Sequence, residues 1–184
     1  MFMILYECTF SGSVEIGVNM KLVCYSSTLL EYGGDILASK GMKREKKLIQ
    51  HGTCSVYQHS LSVAAMCLNI ADTFHIKVSR RAMVRGALLH DYFLYDWHEP
   101  VLKNRIHGFT HPYIALKNAQ KDFELGVIEK NMIKRHMFPL VPIPPKYREG
   151  VILCIADKIC ALSETITGIS QKSDQRRQQK CRNF

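Results

Sequence analysis

No Cys-x-x-Cys pair occurs among the seven cysteines, at positions 8, 24, 54, 67, 154, 160 and 181, which excludes a zinc ribbon and a thioredoxin-type motif. Their odd number and irregular spacing also speak against a disulfide framework. A reducing compartment, and so a cytoplasmic protein, is expected. No run approaches the roughly 18 uncharged apolar residues needed to span a bilayer. Residues 1–6 are apolar but lack a basic flank, and Glu7 interrupts them, unlike a secretory signal. No internal repeat and no low-complexity tract is present. Strand-type alternation of any length is missing from the middle of the chain, which leaves an all-α fold, a helical bundle, as the expectation.

What is there suits one folded domain. The 184 residues are 47% hydrophobic and 22% charged, enough apolar material to close a core and too much for a disordered chain. The formal charge of +9 favours anionic partners. The basic runs at 43–47 and 176–182 carry no interleaved aromatics, so they read as solvated surface and give a nucleic-acid partner no support. Three parts are expected: an N-terminal extension at 1–26, a helical domain at 27–168 and a basic tail at 169–184. Nothing in the pattern specifies an oligomer.

Within the domain, a helix is expected over 27–39, although Gly33 and Gly34 weaken it. Val56, His59, Val63, Cys67, Ile70 and Phe74 then recur at spacings of three and four, one apolar helical face with His59 inside it. A second clear helix starts at Ser79, its N-cap, and carries Val84, Ala87 and Leu88 before His90 and Asp91. After a loop at 100–108, Pro112 fits the first turn of a helix that begins at His111. Leu125, Ile128, Met132 and His136 mark the next helix, and four prolines between 139 and 145 impose a loop. The last helix covers 147–166.

Asp157 lies in a stretch, 151–162, that is apolar on nearly every side and is therefore expected to be buried. An unpaired carboxylate there costs several kcal/mol unless a cation or a strong ion pair compensates it. His90 and Asp91 come where another apolar helix enters the core, and His59 sits on a third. Taken singly, each has an ordinary structural explanation. One shared divalent ion accounts for all of them, because imidazole nitrogen and carboxylate oxygen together suit such cations and a bundle projects ligands inward from facing helices. His111 and His136 are candidates for a second ion with Asp91 bridging, and His107 competes for the place of His111. Cysteines 67, 154 and 160 fall in apolar helical patterns and read as core residues.

His59 in Tyr57-Gln58-His59-Ser60, the pair in Leu88-Leu89-His90-Asp91, and Asp157 in Ile155-Ala156-Asp157-Lys158 together resemble the HD-domain phosphohydrolases, over roughly 50–162. The likeness is greatest to small stand-alone bacterial members. The resemblance implies that His59, His90, Asp91 and Asp157 bind a divalent metal (manganese, iron, cobalt, nickel, magnesium or zinc), and that His111 and His136 hold a second. It departs from the cyclic-di-GMP phosphodiesterases of the HD-GYP type, because Tyr92, Phe93 and Leu94 follow Asp91 in place of Ile-Gly-Lys and no Gly-Tyr-Pro occurs. The expected activity is hydrolysis of a phosphomonoester or phosphodiester, with a nucleotide as the substrate class. Asp91 is the expected bridging ligand and proton acceptor, Asp96 an aid to proton transfer, and Arg105 and Lys158 the cations that bind phosphate. The alternatives are a non-catalytic HD module that binds a nucleotide in signalling, and a basic RNA-binding adaptor.

Overall fold

Ser55 opens the central helix with a reciprocal cap. The Gln58 amide donates to Ser55 Oγ at 3.2 Å, and the Ser55 amide donates to Gln58 Oε1 at 3.0 Å. In this computed structural model, residues 13–51, 53–97 and 107–182 are described in backbone, and 24–50, 53–97 and 107–169 also in side chain. In chain order the elements are α1 (Ser13–Leu37), α2 (Lys40–Glu45), β1 (Ile49–His51), β2 (Cys54–Ser55), α3 (Val56–Thr73), α4 (Arg80–Leu89), α5 (His107–Asp122), α6 (Val127–Arg135) and α7 (Arg148–Arg182). The all-helical expectation holds. The antiparallel β1–β2 pair is too short for a period-two pattern to register in sequence.

Helix α3 packs against α1, α4 and α7, while α6 closes on α4, α5 and α7. Val63, Cys67 and Leu68 of α3 meet Met83, Val84 and Leu88 of α4 and Leu153 and Ala156 of α7, all fully buried. Burying each larger side chain of this set contributes about 1.5–3 kcal/mol relative to leaving it exposed. Phe74, expected on the apolar face of α3, is instead 70% exposed, because it is the C-cap residue, where the chain leaves the helix. Cys67, Cys154 and Cys160 are buried thiols, as their patterns suggested.

Helix α1 begins at Ser13, so it crosses the boundary expected between 26 and 27, and α7 runs to Arg182, through the segment read as a tail. Gly33, which weakened the reading of α1, has a packing reason: a Cβ there would collide with Leu88 Cδ1 on α4. The same contact is pinned by Arg85, whose Nη1 donates to Asp35 Oδ1 at 2.7 Å and to the Tyr32 carbonyl at 3.2 Å.

Two expectations are corrected. Helix α5 starts at His107 and not at His111, so Pro112 is inside it, and the carbonyl of Gly108 receives no helical N–H. Helix α7 is not buried on all sides. Leu153, Ala156 and Cys160 face the core, but Val151, Ile155, Ile159 and Leu162 are 45–63% exposed, because α7 is an outer helix that packs only along one side. The apolar run around Asp157 thus overstated its burial.

Candidate metal centre

The four expected imidazoles come from four places in the bundle and are tied down in the same way. His59 on α3 has Nδ1 2.9 Å from Glu164 Oε2 of α7. His90, at the C-cap of α4, has Nδ1 2.7 Å from the Ala87 carbonyl. His111 on α5 has Nδ1 2.8 Å from the His107 carbonyl, and His136, capping α6, has Nδ1 2.8 Å from the Ile133 carbonyl. Carbonyls only accept, so in His90, His111 and His136 Nδ1 carries a proton and Nε2 is the atom turned inward. His59 lies instead between two carboxylates, Glu164 at Nδ1 and Asp157 at Nε2. This is the orientation by outer partners that metal-binding histidines adopt.

Those Nε2 atoms converge on two carboxylates. His59 Nε2 is 3.1 Å and His90 Nε2 3.6 Å from Asp157 Oδ1. Asp91 lies between the two sets. Its Oδ2 is 3.4 Å from His90 Nε2, and its Oδ1 is 3.2 Å from His111 Nε2 and 3.5 Å from His136 Nε2. Two groups of atoms result, His59–His90–Asp157 and Asp91–His111–His136, and within each group the ligand atoms lie within 4.8 Å of one another. Asp157 is 13% exposed at its side chain and the rest are almost wholly enclosed.

The fit to a cation can be read from atoms left without partners. His90 Nε2 and Asp91 Oδ1 are buried and make no hydrogen bond among the described residues. His111 Nε2 and His136 Nε2 stand 2.8 Å apart. With both Nδ1 protons committed elsewhere, two lone pairs would face each other there, which only a proton or a cation between them relieves.

The electrostatics match. Burial acts to raise the pKa of Asp91 and Asp157, but the imidazoles facing them outweigh it and hold both carboxyls well below the usual range. Burial, with His111 and His90 beside it, pushes His136 down to about 3, so this ring is neutral at any physiological pH. Burial likewise works against a charged His59, but contacts with Asp157 and Glu164 raise its pKa well above the ordinary 6.5. The ion-free centre therefore holds protons that cation uptake must expel. Manganese affinity should keep rising with pH above 6.5, with proton release visible as a heat that depends on the buffer. A flat affinity profile from pH 6.5 to about 8.5 would contradict this.

Of the two histidines on α5, His111 and not His107 belongs to a candidate ligand group. His107 stacks on its ring, centroids 4.5 Å apart, and its Nδ1 lies 2.7 Å from Tyr95 Oη. Asp96 is exposed and belongs to neither group. Arg105 falls outside the described residues. Lys158 sits at the edge: its Nζ donates to the carbonyls of Cys154 at 3.3 Å and His136 at 3.4 Å, and lies 4.0 Å from Asp157 Oδ2. It also borders an apolar cleft of about 270 Å³ lined by Phe138, Pro139, Pro144 and Ile155.

Three neighbours of the centre went unread in the sequence. Glu164 had a legible signal, since it follows Asp157 by seven residues and so shares its helical face. Gln50, whose Nε2 donates to Asp91 Oδ2 at 2.6 Å, had none. Glu45 was hidden in the basic run 43–47, read as solvent-exposed, yet it is fully buried.

A helical domain that aims four imidazoles and two carboxylates at a shared interior has the groups with which a divalent metal could be held. Residues 56–162, more than half of the chain, match the family model described as HD domain, and the chain belongs to that family. No curated protein and no solved structure matches it. Among the described residues, no helix is long and apolar enough to cross a membrane.

Proposed function

We propose that this HD-domain protein is a metal-dependent phosphohydrolase that cleaves a phosphomonoester or phosphodiester of a small molecule, with a nucleotide as the substrate class. The observation that carries the reading is the position of Asp91, with one oxygen toward each imidazole set. His59, His90 and Asp157 would hold one divalent ion and His111 and His136 a second, with Asp91 shared. Such ions activate water at neutral pH and draw negative charge from a phosphoryl oxygen. The protein's part is to turn the four Nε2 atoms toward one interior, through the Nδ1 contacts, and to exclude bulk water from all but the Asp157 side. Lys158, 4.0 Å from Asp157 Oδ2, is placed to meet phosphoryl charge at that opening.

The test is elemental analysis of the purified chain, followed by stripping, reloading with manganese, cobalt, nickel or magnesium, and assay against phosphomonoesters, phosphodiesters and nucleotides. Metal-dependent turnover that chelation abolishes is expected. Tight nucleotide binding without turnover under any metal would point to a non-catalytic module instead.

A further inference from the structure

Glu45, the last residue of α2, and Gln50, in β1, are buried polar side chains that the six candidate ligands leave unused. Both carboxylate oxygens of Glu45 are shielded from solvent and have no hydrogen-bond partner among the described residues. Gln50 Oε1 is in the same condition, while Gln50 Nε2 donates to Asp91 Oδ2. The titratable groups that interact electrostatically with Glu45 are Asp91, which lies between the two imidazole sets, His59 and Tyr92. Helix geometry explains the aim. Gly41 packs directly on the Tyr92 ring, and Glu45, four residues on, lies on the same face, which turns it toward the segment that carries Asp91.

An ionised carboxylate buried with no donor, beside another carboxylate, is unfavourable by several kcal/mol unless a positive charge offsets it. Without such a charge, burial with Asp91 beside it pushes the Glu45 carboxyl well above the usual carboxylate range. Among the described residues His59 is the one positive group whose charge reaches Glu45, and its ring is already engaged by Asp157 and Glu164. Resting on the reading of the centre as a divalent-ion site, we infer that Glu45 is its outer carboxylate, acting on the bound cation through intervening water, with Gln50 holding Asp91 in place beside it. Glu45 is in neither group of ligand atoms, so it acts at one remove.

The bland alternative is a protonated acid that only fills space, and Glu45→Gln separates the two, because glutamine copies the shape of a protonated acid but takes no charge. Manganese is titrated calorimetrically into the metal-stripped, full-length chain, and the ion-free melting temperature is recorded alongside. Glu45→Gln should bind manganese roughly 10- to 100-fold more weakly than wild type, as loss of an outer partner does, with an unchanged ion-free melt. Should Glu45→Gln fail to fold, Glu45→Asp, which withdraws the carboxylate by one methylene, is read in its place and should also bind more weakly. Wild-type affinity in whichever variant folds overturns the assignment. A wild-type chain that takes up no manganese overturns the metal centre itself and Glu45 with it, so the two failures are distinguishable.

Discussion

Asp91→Ala should empty both halves of the metal centre and abolish hydrolysis with them. Each oxygen of Asp91 serves a different imidazole set, so one substitution removes a ligand from His90 on one side and from His111 and His136 on the other. Loss of a mere outer partner costs roughly 10- to 100-fold in metal affinity. Loss of a shared inner ligand should exceed that for both ions. The ion-free protein should also lose stability near neutral pH. The folded pKa of Asp91 lies below its unfolded value, so the ionised carboxylate contributes stability above that unfolded value, and the contribution fades as pH falls toward the folded one. The difference in melting temperature between wild type and Asp91→Ala should therefore shrink on acidification. Asp91→Asn, which keeps the shape but not the charge, should lose metal almost as fully. Full metal content in Asp91→Ala, measured by elemental analysis, would remove Asp91 from the centre.

The second large effect is expected at Gly41. A Cβ built there runs into the Oη and Cζ atoms of Tyr92, a fully buried ring whose hydroxyl donates to Asp122 Oδ2 at 3.0 Å. The ring is enclosed and anchored, so the overlap falls on α2, the six-residue helix from Lys40 to Glu45. Gly41→Ala should cost about 2–3 kcal/mol, the upper range for overpacking a filled core. It should also weaken manganese binding, because α2 can relieve the overlap only by moving Glu45 away. Adding Tyr92→Leu makes room, so the double variant should be less destabilised than the two single changes combined. Additive losses in denaturant melts would show that the ring is not what limits residue 41.

The pattern of neighbouring protons gives the centre its chemistry. Each Nδ1 has an acceptor supplied locally or by one other helix: three carbonyls three or four residues upstream, and Glu164 for His59. Rings capped in this way keep Nε2 available without reorganisation, which is what a preformed cation site requires. Access is one-sided, because Asp157 alone of the inner carboxylates retains some exposure, next to Lys158 and the cleft under the proline-rich loop.

The amino-acid sequence alone determined the helical class, the helices that carry the polar side chains of the centre, and most of those side chains themselves. It did so because an imidazole or a carboxylate set into a 3.6-residue apolar stripe contradicts that stripe, and the contradiction is local. His59, the His90–Asp91 pair and Asp157 were legible for this reason, and Ser79 was legible as a cap because capping is a contact within one turn. Tertiary structure alone decided the rest. It chose His111 over His107, a matter of which turn of α5 meets Asp91. It turned one side of α7 outward, since hydrophobicity on all sides does not say which side finds a neighbour. It buried Glu45 in a basic run and brought Gln50 to Asp91, because pairings across 41 residues, or 105 for His59 and Glu164, leave no periodic trace in the chain.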